Sequence, residues 1–115
     1  MTQYNWANVE KEQLNPLFAR RVIHGERVTV AQIFLEKGCV VPEHEHHNEQ
    51  VSMIFEGKLV FHMADGDLVL QAGDVLHIPA HAKHKVTALE KSYAIDVFSP
   101  PREDWRTGND AYLRR

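Results

Sequence analysis

Short apolar segments recur along the chain, each closed by glycine, proline or charged turn residues. That rhythm is the pattern of an all-β sandwich or barrel. Val28 to Leu35 predicts a strand that ends at Lys37-Gly38. Gln50 to Phe55 and Leu59 to Met63 predict two more around Glu56-Gly57-Lys58. Asp65-Gly66 predicts a tight turn into Leu68 to Leu70, and Ala72-Gly73-Asp74 leads into Val75 to Ile78, stopped by Pro79. His84 to Leu89 and Tyr93 to Phe98 complete the set. Ser99-Pro100-Pro101 closes the last strand and predicts a short helix, with Pro101 near its first position and Glu103 and Asp104 in its first turn. Thr107 to Arg115 reads as loosely held, and Trp6 and Phe18 as packed on the barrel or on a second subunit.

At 115 residues, the chain predicts one domain large enough to bury its own core. A net charge of -3 gives no electrostatic case for nucleic acid. No apolar run reaches the roughly 20 residues that span a bilayer. The polar stretch Met1 to Glu12 lacks the apolar core of a signal peptide. Cys39 is the only cysteine, so no intrachain disulfide forms, which fits a reducing compartment. Together these features predict a cytoplasmic protein with no membrane partner.

The histidines change the picture. There are eight, and seven fall between His44 and His84. Histidine is the commonest metal ligand. His44 and His46 are two apart, so in a strand they point to one face, and Gln50 follows on the next stretch of chain. Gly38 and Gly57 flank this group. Further on, Gly73 is followed after five residues by Pro79 and then, five positions on, by His84, and Gly57 and Gly73 bracket a hairpin that brings the halves together. The candidate ligands are therefore His44, His46, Gln50 and His84. Glu49 rivals Gln50 and His81 rivals His84, although strand parity sets Glu49 opposite Gln50. His47 reads as exposed, and His24, His62 and His77 have no motif around them. Surface or structural histidines are the alternative to a metal site.

The last strand holds a second constellation. Ala94, Asp96 and Phe98 share one face, and an acid in an apolar strand is costly to bury without a partner. With Arg102 close behind, the trio suits a sugar-acid pocket. Arginine binds a carboxylate bidentately, the ring packs on the sugar, and the aspartate moves a proton. The rival reading makes Asp96 and Arg102 a structural ion pair. The Arg20-Arg21 pair reads as a solvated face, the alternative being that one of the two lines the barrel mouth.

The spacing from Gly38 to Gly57, with Gly73, Pro79 and His84, resembles the two motifs of the cupin superfamily. His81 stands where the second motif has glycine, and Ala88 where it has asparagine. The resemblance implies a double-stranded β-helix, a jelly-roll barrel. The expected layout is a single cupin domain over residues 1–115, with the barrel core at about 28–98 and short extensions at both ends. His44-Glu45-His46-His47-Asn48-Glu49-Gln50-Val51 and Asp96-Val97-Phe98-Ser99-Pro100-Pro101-Arg102-Glu103-Asp104 further resemble the pectin-degradation cupins of the KdgF type.

That resemblance implies a metal-dependent, non-redox conversion of 4,5-unsaturated monouronates, released by pectin and alginate lyases, into linear 5-keto-4-deoxyuronates. It implies one divalent ion (Zn, Ni, Mn or Fe) on His44, His46, Gln50 and His84. Asp96, Phe98 and Arg102 become the catalytic residues, with Phe98 and Arg102 also binding the sugar acid. A homodimer is the expected assembly. Gln50, standing where cupins usually have glutamate, leaves an all-neutral ligand set, whereas iron oxygenases more typically carry a carboxylate. A sugar-acid-binding sensor without turnover and a metal-dependent dioxygenase are the competing classes.

Overall fold

The computed structural model describes residues 1–115. Its strands are β1 (Glu12–Asn15), β2 (Phe18–His24), β3 (Thr29–Leu35), β4 (Val40–His44), β5 (Glu49–Glu56), β6 (Lys58–Met63), β7 (Gly66–Gln71), β8 (Val75–Ile78), β9 (His84–Ala88) and β10 (Ser92–Ser99). A helix α1 (Glu103–Arg106) and a 3-10 turn (Ala111–Arg114) follow, and a further 3-10 turn covers Trp6–Asn8.

All strand pairs are antiparallel. They make a six-stranded sheet in the order β1-β2-β3-β10-β5-β8 and a four-stranded sheet in the order β4-β9-β6-β7. This is the jelly-roll architecture expected from the sequence, with the two sheets left unclosed. Alternation along each strand selects the inward face. In β3 it buries Ala31, Ile33 and Leu35; in β5, Gln50, Ser52 and Ile54; in β9, His84, Val86 and Ala88. Ile33, Leu35, Ile54, Leu59, Phe61 and Val86 form the apolar half of the interior. The polar half is built on the same inward faces further along the strands, so the core and the candidate site share one interior.

Three features differ from the sequence-based expectation. First, β1 and β2 extend the sheet on the N-terminal side of residue 28. Phe18 enters the core at 4% exposure, while Trp6 remains half-buried. Second, Arg20 is not on a solvated face: it is 1% exposed, on the inward side of β2 opposite Ile33. Asp110 meets it at 2.5 Å and Glu12 at 3.4 Å. Those acids make burial of the guanidinium tolerable. Third, the tail is not loose. Asp110 is fully buried and Leu113 is 4% exposed, and Asn15 Nδ2 donates to the carbonyls of Leu113 and Arg115. Burial alone would raise the Asp110 pKa, but Arg20 and Arg114 outweigh it and hold the carboxyl below its ordinary range.

Gly57, between β5 and β6, has φ +87°, and a Cβ there would lie 2.3 Å from both the Lys91 carbonyl oxygen and Ser92 Oγ. Gly57→Ala is expected to cost about 2 kcal/mol or more, left-handed strain alone accounting for about 1–2 kcal/mol. Urea unfolding measures this, and a loss below about 0.5 kcal/mol, the range of an ordinary surface change, would contradict it.

Candidate metal centre

β4 and β9 are paired so that His44 lies opposite His84, and their rings are 4.2 Å apart between centroids. The strand ends at His44, so His46 reaches the same point from the loop Glu45–Asn48 and not by strand parity. One ligand atom from each of His44, His46 and His84 falls within 4.8 Å of the others. Gln50 enters from β5 at 4% exposure, with its Oε1 3.0 Å from His46 Nε2.

The donor set fits a cation. Nδ1 of each histidine lies at hydrogen-bond distance from a backbone carbonyl: His44 from Pro42 at 2.7 Å, His46 from Asn48 at 3.0 Å and His84 from Ala82 at 2.8 Å. Donation through Nδ1 leaves Nε2 as a lone pair in each ring, the usual way metal-binding imidazoles are oriented. Burial disfavours the imidazolium form. It lowers the His44 pKa to about 4, helped by the neighbouring His84, and that of His46 to about 4, helped by Arg102. Burial also lowers His84. Gln50 Nε2 donates to Ser52 Oγ at 2.9 Å, which turns Oε1 toward His46. Two acceptors 3.0 Å apart repel each other, and a shared cation relieves that repulsion.

The rivals face elsewhere. Glu49 is 60% exposed and meets His77 at 2.6 Å. His81 is exposed, with φ +64°, the left-handed conformation that glycine adopts freely. That backbone requirement accounts for glycine at this place in the general motif. His47 is exposed. His24 contacts Thr29, and His62 contacts Asp67 and Thr87.

Asp96 projects inward between Ala94 and Phe98, with Ser52 and Ala31 as its cross-strand neighbours. It lines the same cavity, of about 50 Å³, as His44, His84 and Arg102. Burial pushes its pKa up to about 6, opposed by a Ser52 hydrogen bond and the charge of Arg102. Arg102 is 1% exposed, and its ion-pair partner is Asp104, met at 2.9 and 2.8 Å. The expected alternative of an Asp96–Arg102 ion pair is therefore not how the fold uses them. Burial would raise the Asp104 pKa, yet hydrogen bonding and charge from Arg102 bring it below the ordinary value. Phe98, 2% exposed, sets its ring edge-on to His46 and Trp105 at 5.6 and 5.0 Å, and the Arg102 guanidinium sits 4.7 Å over it.

Three residues here went unread in the sequence. Asn48 donates to the carbonyls of Pro100 and Pro101, tying the His46 loop to the segment that carries Arg102. Trp105 lies 4.3 Å beneath Arg102. Tyr112 accepts a hydrogen bond from Arg102 at 2.7 Å and stands 5.2 Å from the His44 ring. Asn48 lies inside the stretch from His44 to Val51 but acts through the distant Pro100 and Pro101, whereas Trp105 and Tyr112 stand near Arg102 in sequence and no motif marks their role.

Residues 31–98 match the family model described as Cupin domain, more than half of the chain. The chain belongs to the cupin domain family. Among solved structures, KdgF from Halomonas sp. superposes with a TM-score of 0.84 at 24% identity, over 90% of this chain and 99% of that one. An RmlC-like cupin from Shewanella frigidimarina NCIMB 400 gives 0.83 at 28%, over 89% and 93%. Oxalate decarboxylase from Bacillus subtilis gives 0.75 at 16%, over 84% of this chain but 29% of that one. The fold is thus KdgF-like. No curated protein matches the sequence. No helix is long and apolar enough to cross a membrane.

Proposed function

We propose that the protein opens the ring of 4,5-unsaturated monouronates to linear 5-keto-4-deoxyuronates, without redox change. The observation that carries the reading is one interior cavity lined by His44, Gln50 and His84, an inward aspartate with a raised pKa and a buried arginine, with His46 beside the other two histidines. The resemblance to KdgF-type cupins supplies the substrate class. His44, His46, Gln50 and His84 would hold one divalent ion, which when bound supplies Lewis-acid stabilisation of negative charge on oxygen.

The chain's own residues account for the rest. Arg102 holds the substrate carboxylate beside the Phe98 wall. The Asp96 carboxylate takes the proton of the C1 hydroxyl as the bond from C1 to the ring oxygen breaks. C1 becomes an aldehyde, and the ring oxygen stays on C5 as an enolate. Asp96 then returns the proton to C4, leaving a ketone at C5 and a methylene at C4. Atoms and electrons balance within the sugar, so neither oxidant nor water is consumed. A pKa near 6 suits a group that must both take and return a proton.

The test is the substrate's enol ultraviolet absorbance, followed after mixing unsaturated monouronate with purified protein under strict anaerobiosis. The absorbance is expected to fall as fast as in air. Turnover that stops without oxygen would replace this reading with a dioxygenase, and binding without turnover would replace it with a sensor.

A further inference from the structure

The Trp105 indole N–H is an unpaired donor in the wall of this cavity. The residue is 9% exposed, it lines the cavity with Asp96, Arg102 and Tyr112, and its Nε1 has no hydrogen-bond partner. Buried donors are nearly always satisfied, and one left unpaired calls for an explanation. The polar group beside it is the Tyr112 hydroxyl, but the geometry falls short of a hydrogen bond. That hydroxyl already accepts from Arg102 Nη2 at 2.7 Å. The indole is held firmly, between the guanidinium of Arg20 on one contact and that of Arg102 on another, each 4.3 Å from the ring centroid. Two donors, one cationic and one neutral, thus converge on a single oxygen, and one of them is poorly served by it.

We infer that Trp105 is a substrate-binding residue. Its indole N–H and the Arg102 guanidinium together receive the carboxylate of a sugar acid, at the position the Tyr112 hydroxyl now holds. A carboxylate offers two oxygens and a full negative charge where the hydroxyl offers one neutral acceptor, so it satisfies both donors at once. The Tyr112 side chain has to turn aside for this, and it belongs to the 3-10 turn Ala111–Arg114 rather than to a strand. The inference rests on the uronate reading for its ligand class, yet binding tests it separately from turnover.

The experiment is calorimetric titration of the purified, metal-containing protein with galacturonate, which lacks the 4,5 double bond, and with its uncharged methyl ester. Trp105→Phe keeps the ring and removes only the N–H. It is expected to bind galacturonate about 10- to 100-fold more weakly, the scale of a lost hydrogen bond to a charged group. Its metal content and melting temperature should match wild type, and the two proteins should bind the ester alike. Tyr112→Phe is expected to bind galacturonate at least as well as wild type. Undiminished galacturonate binding by Trp105→Phe, an equal loss for the ester, or no galacturonate binding by wild type would each overturn the inference. Galacturonate binding that depends on Trp105, without turnover of the unsaturated substrate, would remove the ring-opening reading and leave the carboxylate site standing. Turnover without such binding would do the reverse.

Discussion

Replacing His44 and His46 together with alanine is expected to yield a folded protein that purifies without a divalent ion, where wild type retains about one per chain. The expectation rests on how the rings are held. Backbone carbonyls at Pro42, Asn48 and Ala82 occupy the Nδ1 side of the three histidines, and desolvation keeps the imidazoles neutral. The Nε2 lone pairs are thereby oriented before any ion arrives, which is what makes a site selective and tight. The double variant leaves only His84 and the Gln50 amide, too few donors for a tetrahedral or octahedral first-row ion.

The fold should survive that loss, because the apolar core lies toward Leu35, Ile54, Phe61 and Val86 and does not depend on either side chain. Elemental analysis after dialysis reads the metal, and circular dichroism reads the fold. Adding metal at a hundredfold excess over its dissociation constant should stabilise wild type by about 2.7 kcal/mol and the variant by nothing measurable. Full metal content in the double variant would place the ion elsewhere and dismantle the assignment.

Much of this site was readable from local chemistry. The alternation in β5 buries Gln50, Ser52 and Ile54 and turns Glu49 out to His77, so parity alone separates the two candidate donors. The same rule sets Asp96 inward with Ala94 and Phe98. What local reading misses is whatever depends on a distant partner. Phe18, Arg20 and Val22 share a strand face, but an arginine in the middle of it breaks the apolar pattern. The charge that makes Arg20 acceptable there comes from Asp110, ninety residues away. The ordered tail follows from that same pair, since Asp110 and Leu113 are buried only once β1 and β2 exist to receive them. His46 illustrates the intermediate case. Its spacing from His44 pointed to the right cluster, while the loop geometry that delivers it rests on Asn48 reaching Pro100 and Pro101.

The Asp96→Asn variant is expected to lose about 100- to 10,000-fold in ring-opening rate, the usual contribution of a positioned acid–base group, while keeping its metal and its fold. Asparagine preserves the shape and the reach to Ser52 but cannot take up and return a proton. The structure also says what should happen to stability. Burial raises the Asp96 pKa to about 6 against the opposing effects of Ser52 and Arg102. A carboxyl whose folded pKa lies above its unfolded value of about 3.8 binds protons more readily in the folded state, so its ionisation costs stability as pH rises from the unfolded pKa through the folded one. Above about pH 6 the ionised group is therefore a burden that asparagine removes, and the variant is expected to melt at or above the wild-type temperature at pH 8. Arg102 takes its ion pair from Asp104, so it keeps its partner when Asp96 is neutralised. A residue that lowers stability yet is indispensable to the rate is the signature of a functional group carried at the expense of the fold. Rate by absorbance, melting temperature and metal content measured on one preparation decide the matter. Near-wild-type turnover would make Asp96 structural and move the proton to another group, and a sharply lower melting temperature with intact turnover per folded molecule would do the same.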